Sequence, residues 1–310
     1  MTGHLPVLTA TVVEYLRPQR GGVFVDCTVG LGGHSSALLA AGATRVIGLD
    51  RDRDALARAR DTLAPWLERV ELVHADFRAI DEVLDRLGIP RVDGAVADLG
   101  VSSMQLDEPG RGFSFQRDEP LDMRMDRSSG ETAADLVARS DERELADAIY
   151  RFGEERFSRR IARAIVNARR ESPIQTTGRL AAIIRRVMPR RGAMRIDPAT
   201  RTFQALRIWV NRELDDLDRF LEAAARRLQL GARLVAIAFH SLEDRIVKHT
   251  LRALERSDVK VLTKKPIVPT EEEVARNPRA RSAKLRAAER VQIADGRVQM
   301  SWQSADAKAH

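Results

Sequence analysis

The sequence predicts an α/β fold, a doubly wound and mostly parallel sheet built from both ends of the chain and interrupted by a block of helices. Three observations predict it. Short apolar runs alternate with helical patterns over residues 1–100; strand character is then absent from a long, helix-patterned middle; and it returns in Arg233-Leu234-Val235-Ala236-Ile237-Ala238-Phe239.

In chain order, Val23-Phe24-Val25 reads as the first strand, followed by a Gly-rich turn and a helix over residues 35–41. Arg45-Val46-Ile47-Gly48-Leu49 is the second strand, Val70-Glu71-Leu72-Val73 the third, and residues 92–99 the fourth, with helices between them. After Gly100, residues 107–126 are rich in Pro, Gly, Arg and Asp, and helical patterns run from Thr132 to Arg190. One of these helices carries Phe157, Ile161 and Ile165 on one face, while Arg156, Arg159, Arg160 and Arg163 crowd the rest. A solvated basic face is the ordinary reading of such a pattern. A long helix with Leu206, Trp209, Val210, Leu214 and Leu217 leads into the last strand. A helical domain inserted at about residues 109–200 follows from this order. Near the C-terminus, residues 277–290 hold five basic side chains and one acid, Glu289, and read as a basic stretch.

The 310 residues suffice for a large core, and 44% hydrophobic with 31% charged residues describes a globular protein rather than a disordered one. Lys and Arg outnumber Asp and Glu by 52 to 45, a net +7 that favours an anionic partner such as nucleic acid without identifying one. Cys27 is the single cysteine, so neither a disulfide framework nor a Cys-ligated metal site is available and a reducing cytoplasm fits. Neither a signal segment nor a membrane-spanning run is predicted, since no apolar stretch approaches the ~18 residues a span requires. The histidines show no metal-ligand spacing, and no metal is expected.

Chemistry concentrates at the strand ends. Gly30, Gly32 and Gly33 fall where the first strand turns into a helix, which lets backbone approach a ligand, although a tight turn with no ligand uses glycine in the same way. Asp50 follows the second strand, eighteen positions after Gly32, where an acid can accept hydrogen bonds from both ribose hydroxyls of a nucleoside-bearing cofactor. Either NAD or S-adenosylmethionine satisfies that pairing, and the GxGG spacing tilts away from the dinucleotide fingerprint GxGxxG. Asp76-Phe77 ends the third strand with a carboxylate and an aromatic face for adenine, and Asp98 ends the fourth. Each acid could instead cap a helix. Their recurrence at successive strand ends favours a ligand crevice.

These residues resemble a known family, the S-adenosylmethionine-dependent methyltransferases that modify the cytosine exocyclic amino group in small-subunit (16S) ribosomal RNA. The resemblance is carried by Gly32-Gly33-His34, Asp98-Leu99-Gly100-Val101-Ser102-Ser103, Gly153-Glu154-Glu155-Arg156 and Phe239-His240-Ser241-Leu242-Glu243-Asp244-Arg245. It extends through residues 4–8, 111–115, 120–126, 199–207 and 277–286. It implies a class I (Rossmann-like) methyltransferase core, residues 1–108 with 201–310, and an inserted helical substrate-recognition domain, residues 109–200. It also implies S-adenosylmethionine contacts at Gly32, Gly33, His34, Asp50, Asp76, Phe77, Asp98 and Gln105. Met104 stands where the family usually has proline after Ser-Ser.

The implied reaction is methyl transfer to N4 of a cytosine in the decoding region, on RNA within an assembled or nearly assembled 30S subunit, leaving S-adenosylhomocysteine. By position, Asp98 and the Leu99-Gly100 backbone are the expected acceptors for the amino group, with His240 near the base. His240, Ser241 and Asp244 lie too close together in sequence for a hydrolase triad, and a site wall or a satisfied polar cluster both remain open for them. Methylation at ring carbon 5 would need a thiolate, and Cys27 lies inside the first strand's motif. RNA is expected on the Arg-rich inserted domain and on residues 277–290. No membrane or metal partner is expected, and a homodimer is compatible with the reading. The competing classes are a nucleotide-dependent oxidoreductase and a non-catalytic RNA-binding module on the same fold.

Overall fold

A computed structural model describes residues 6–189, 197–294 and 297–299; His4, Leu5 and Arg190, which belong to the motifs and patterns above, lie outside these. The chain forms two compact units, Met1–Gly100 with Asp216–His310, and Val101–Asp215.

The first unit is a seven-stranded sheet in the order β3-β2-β1-β4-β5-β7-β6. Its strands are β1 (Val23–Asp26), β2 (Arg45–Asp50), β3 (Val70–His74), β4 (Val92–Asp98), β5 (Leu228–Ala238), β6 (Val259–Val261) and β7 (Lys284–Arg290). β1 to β5 pair in parallel, and β7 runs antiparallel to both β5 and β6. Helices α1 (Thr9–Leu16), α2 (Gly33–Ala40), α3 (Arg53–Thr62), α4 (Ile80–Arg86), α11 (Leu217–Arg227), α12 (Ser241–Leu254) and α13 (Glu271–Arg276) complete the unit. Burial explains the apolar runs. Phe24, Val25, Val46, Ile47, Val96, Val235 and Ile237 are at most 1% exposed, and a fully buried side chain of this size contributes about 1.5–3 kcal/mol. Because β1, β2, β4 and β5 are parallel, Asp26, Asp50, Asp98 and the residues after Ala238 share one edge of the sheet. The reversal of strand order around β1 and β4 opens a crevice there.

The first four strands fall where the sequence predicts them. Two features of the second half differ. The expected long helix is broken: α10 (Thr200–Asn211) ends where Arg212 adopts φ +51°, and α11 begins after Asp216 at φ +54°. The apolar spacing runs through the break because each half buries its own stripe. The basic stretch 277–290 is open only in part, with Arg279 and Arg281 exposed and Lys284–Arg290 folded into the sheet. It contains β7, in which Arg286 is 6% exposed and donates to Asp244 at 2.7 Å, Lys284 reaches the same carboxylate at 3.4 Å, and Arg290 donates to Arg226 O and Leu228 O. Alternation hides a strand like this when its ladder partners, not its composition, supply the stability.

The second unit holds α5 (Ser103–Asp107), α6 (Ala133–Arg139), α7 (Glu142–Gly153), α8 (Ser158–Glu171), α9 (Thr177–Val187) and α10 around one core that includes Leu145, Ile149, Ile161, Ile165, Leu180, Ile184, Phe203 and Leu206. Three of its helices start on Thr132, Asp141 and Thr176, whose side chains accept from the third backbone N–H beyond them. The Pro/Gly/Arg/Asp-rich segment is pinned by Asn211, which accepts from Met125 N at 2.8 Å and donates to Met123 O at 2.7 Å. This unit is longer at both ends than the sequence suggests. Val101 and Leu106 pack on its core, and α10 packs on α7 and α6. No helix among the described residues is long and apolar enough to cross a membrane.

Candidate functional site

The first unit's crevice is built on the loop after β1. Cys27 N–H donates to Val96 O and Val29 N–H to Leu49 O, both at 2.8 Å, so the loop stays in register with β4 and β2. Gly30 N–H then donates to Asp50 Oδ2 at 2.7 Å. Gly32 caps α2 at φ +83°, a conformation that L side chains rarely adopt. Gly33 answers a different need: a Cβ there would lie 2.8 Å from the Pro6 ring. Packing on Pro6 requires that glycine.

Asp50 is half-buried, and each of its oxygens accepts one backbone N–H, Gly30 on Oδ2 and Asp52 on Oδ1 at 2.8 Å. A lone pair on each oxygen is left for further donors. Burial, with Asp52 and Asp26 nearby, pushes its pKa up to about 6 despite those hydrogen bonds.

Beneath the loop lies a polar cluster that the sequence alone leaves mostly unassigned. Asp26 is fully buried, accepting from Ser35 Oγ at 2.7 Å and from Thr28 N at 3.3 Å. Thr28 Oγ1 in turn accepts from Asp98 N at 2.7 Å. Burial raises the Asp26 carboxyl above its ordinary value, against the opposing pull of His34 and Ser35. His34, 4% exposed on the first turn of α2, has Nε2 3.4 Å from Asp98 Oδ2. Burial works against a proton on His34, but Asp98 and Asp26 outweigh it and its pKa is raised. Among the described residues, neither ring nitrogen of His34 nor Asp98 Oδ1 has a hydrogen-bond partner, although all three atoms are buried. Buried polar atoms of this kind cost free energy unless something satisfies them. A polar ligand at the crevice would do so. An acid inside a strand just before a Gly-rich turn was the signal for Asp26, and an acid there pairs readily with the next helix.

The remaining expected residues have varied surroundings. Asp76 accepts Arg78 N at 3.0 Å and both guanidinium donors of Arg78 at 2.7 and 2.8 Å, with Arg51 at 3.5 Å. Burial alone would raise its pKa, but the Arg78 hydrogen bonds dominate and hold it below the ordinary carboxylate value. Its carboxylate is thus committed to arginines. The Phe77 ring meets Phe220 with centroids 4.6 Å apart. Gly100 sits at φ +90°, where an added Cβ would lie 3.7 Å from Glu243 Oε1. His240 is the N-cap of α12: its Nδ1 accepts from Glu243 N at 3.4 Å, and Nε2 lies 3.1 Å from Glu243 Oε1. Both ring nitrogens face the same residue, Nε2 is buried with no hydrogen-bond partner among the described residues, and Asp244 is held by Arg286 and Lys284. Gln105 lies in the second unit, 4% exposed, its Oε1 accepting from Ser102 N at 2.9 Å. Cys27 is 1% exposed, and burial, with Asp26 beside it, pushes its thiol well above the ordinary value, which argues against a thiolate nucleophile.

The strand order, with one antiparallel strand beside β5, is that of the class I fold of S-adenosylmethionine-dependent methyltransferases. The model of the MraW methylase family matches residues 1–291, and the chain belongs to that family. It is similar to the ribosomal RNA small subunit methyltransferase H of Nitratidesulfovibrio vulgaris (strain DP4), 52% identical over 308 residues, covering 93% of this chain and 95% of the relative. The protein of the same name from Sorangium cellulosum (strain So ce56) is 55% identical over 289 residues, covering 93% and 91%. Among solved structures, an rRNA methylase from Streptococcus thermophilus is a looser likeness, 12% identical with TM-score 0.42 over 92% of this chain and 94% of its own. Membership of a methylase family does not support the oxidoreductase reading or that of a non-catalytic RNA-binding module.

Proposed function

We propose that this chain, acting in the cytoplasm, methylates N4 of a cytosine in small-subunit ribosomal RNA, with S-adenosylmethionine as donor and the small subunit or a late precursor of it as substrate. The observation that carries the reading is end-to-end similarity, above 50% identity, to relatives named for small-subunit ribosomal RNA. The crevice fits the donor. Asp50 would take the ribose hydroxyls, Gly30 and Gly32 would let backbone approach, Phe77 would flank the base, and His34 would donate to an anionic group. When bound, the donor supplies an electrophilic methyl group on a sulfonium.

The chain's own residues then deal with the nucleophile. A cytosine amino nitrogen is a weak one because its lone pair is delocalised into the ring, so the residues must hold it in line and relieve the positive charge that grows on it. Asp98 Oδ1 is the proposed acceptor of one amino hydrogen, supported by its burial and its lack of a partner among the described residues. The Leu99-Gly100 backbone, turned by the positive φ of Gly100, offers a second acceptor. Asp98 would take up the amino proton that methylation of the nitrogen releases. The inserted unit, with Gln105 at its start, is assigned to substrate recognition.

Transfer of labelled methyl to purified small subunits, with the modified nucleotide mapped by mass spectrometry, tests the assignment. Label at N4 of one cytosine is expected, reduced at least ~100-fold in Asp98→Ala if a transition-state acceptor of the usual strength is lost. No transfer by the wild type sinks the reaction, and full transfer by Asp98→Ala sinks the role of Asp98.

A further inference from the structure

α8 is the most unevenly charged helix surface in the second unit that the mechanism leaves unused. Its 14 residues include five arginines and one acid, Glu171. Ile161, Ala162, Ile165 and Val166 are buried, and the opposite face exposes Arg159, Arg160, Arg163, Asn167 and Arg170. Exposed Arg156, just before the helix, stacks its guanidinium 4.9 Å over the Phe157 ring and extends the same row. Among the described residues, Arg163 alone in this row has a carboxylate at hand, Glu142 at 3.2 Å. On neighbouring elements, exposed Arg139, Arg143, Arg185 and Arg212 lie against Glu131, Asp147, Asp197 and Asp215 respectively, whereas Arg151 and Arg186 have no carboxylate among the described residues.

The charge placement also runs against the helix. α6 and α7 open with acids, Asp135 and Glu142 with Glu144, as the macrodipole favours. α8 opens with Arg159 and Arg160 and no acid in its first turn. α9 and α10 also lack an acid in the first turn, but α8 alone joins that to two arginines there and three more along the helix, an arrangement an anion-binding surface would use.

We propose that the arginine face of α8 binds the phosphate backbone of the RNA substrate. Guanidinium forks match phosphate oxygens bidentately. The helix is ~21 Å long, enough to meet several successive phosphates. A membrane surface or a protein partner would call for apolar anchors on the same face. Among the described residues, the large exposed apolar side chains are Leu67, Tyr150, Leu230 and Val268, none of them on α8. The proposal rests on the RNA substrate assigned above and adds which surface meets it.

The test is the full-length triple variant Arg156→Ala/Arg159→Ala/Arg160→Ala beside its lysine counterpart and a control, Arg60→Ala/Arg252→Ala, made at exposed arginines of the first unit. Binding of a labelled RNA hairpin is followed against KCl, S-adenosylhomocysteine affinity by calorimetry, and methyl transfer to purified small subunits by steady-state kinetics. The alanine triple should lower the salt slope of log K by roughly two to three, given ~0.7–0.9 for each phosphate no longer neutralised. It should raise KM for the subunit at least tenfold, while kcat, S-adenosylhomocysteine affinity and Tm hold. The lysine triple should keep most of the slope and the control all of it. An unchanged slope in the alanine triple, or an equal loss in the control, overturns the surface whatever the transfer assay reads. A lowered slope in a wild-type background that transfers no methyl keeps the surface and overturns the reaction assigned above.

Discussion

As the proposed ribose acceptor, Asp50 should couple donor binding to pH. Its carboxyl is pushed up to about 6 because it is half-buried beside Asp52 and Asp26. A ribose needs the acceptor form, so affinity should follow the ionised fraction. At pH 5 that fraction is roughly one-tenth, and S-adenosylhomocysteine should bind about tenfold more weakly than at pH 8, ~1.4 kcal/mol. Stability of the free protein moves the other way. A carboxyl whose folded value lies above its unfolded one destabilises the fold when ionised, by roughly 3 kcal/mol for a shift of about two pH units, and the burden is relieved as pH falls from about 6 toward about 4. Calorimetric titrations from pH 5 to 8, with melting of the free protein over the same range, read both effects. Asp50→Asn should bind weakly with no pH slope in this window. Equal affinity of the wild type at pH 5 and 8, or the same slope in the variant, would refute the assignment of Asp50 to the donor.

Other consequences follow from particular contacts. The raised pKa of His34 means that its stabilising contribution is complete below its ordinary value near 6.5 and is lost as pH rises through the folded value. The Tm gap between wild type and His34→Gln should therefore be widest in acid and shrink toward pH 9, and a constant gap would contradict the Asp98 contact as its source. Arg286→Met leaves Asp244 with Lys284 at 3.4 Å as its remaining cation and should cost about 1–3 kcal/mol in urea unfolding, most of it recovered in Asp244→Leu/Arg286→Met. Burial alone would raise Asp244, but Arg286 and Lys284 hold it below the ordinary carboxylate value, so the stability from this pair is present above that value and fades as pH falls through the folded one. Asn211→Leu leaves Met125 N and the Met123 and Arg207 carbonyls without their side-chain partner. A loss of about 2–4 kcal/mol is expected, measured by tryptophan fluorescence during denaturation.

By itself the sequence determined the first four strands, because a buried parallel sheet needs apolar runs such as Val23-Phe24-Val25 and leaves its polar residues to the strand ends, where Asp50 and Asp98 stand. It determined the family for the same reason that its motifs are long: they must keep a loop, a cap and a crevice together. Tertiary structure alone decided that Lys284–Arg290 is an interior strand, since its charged composition is tolerable only once Asp244 meets Arg286 and the β5 ladder forms beside it. It alone decided the break after Asn211, where Arg212 and Asp216 turn left-handed although the apolar period continues. It also brought Asp98, far along the chain, to Asp26, His34 and Ser35, because parallel pairing of β1 with β4 sets their ends side by side. Periodicity reports which way a side chain faces; only packing decides what it meets there.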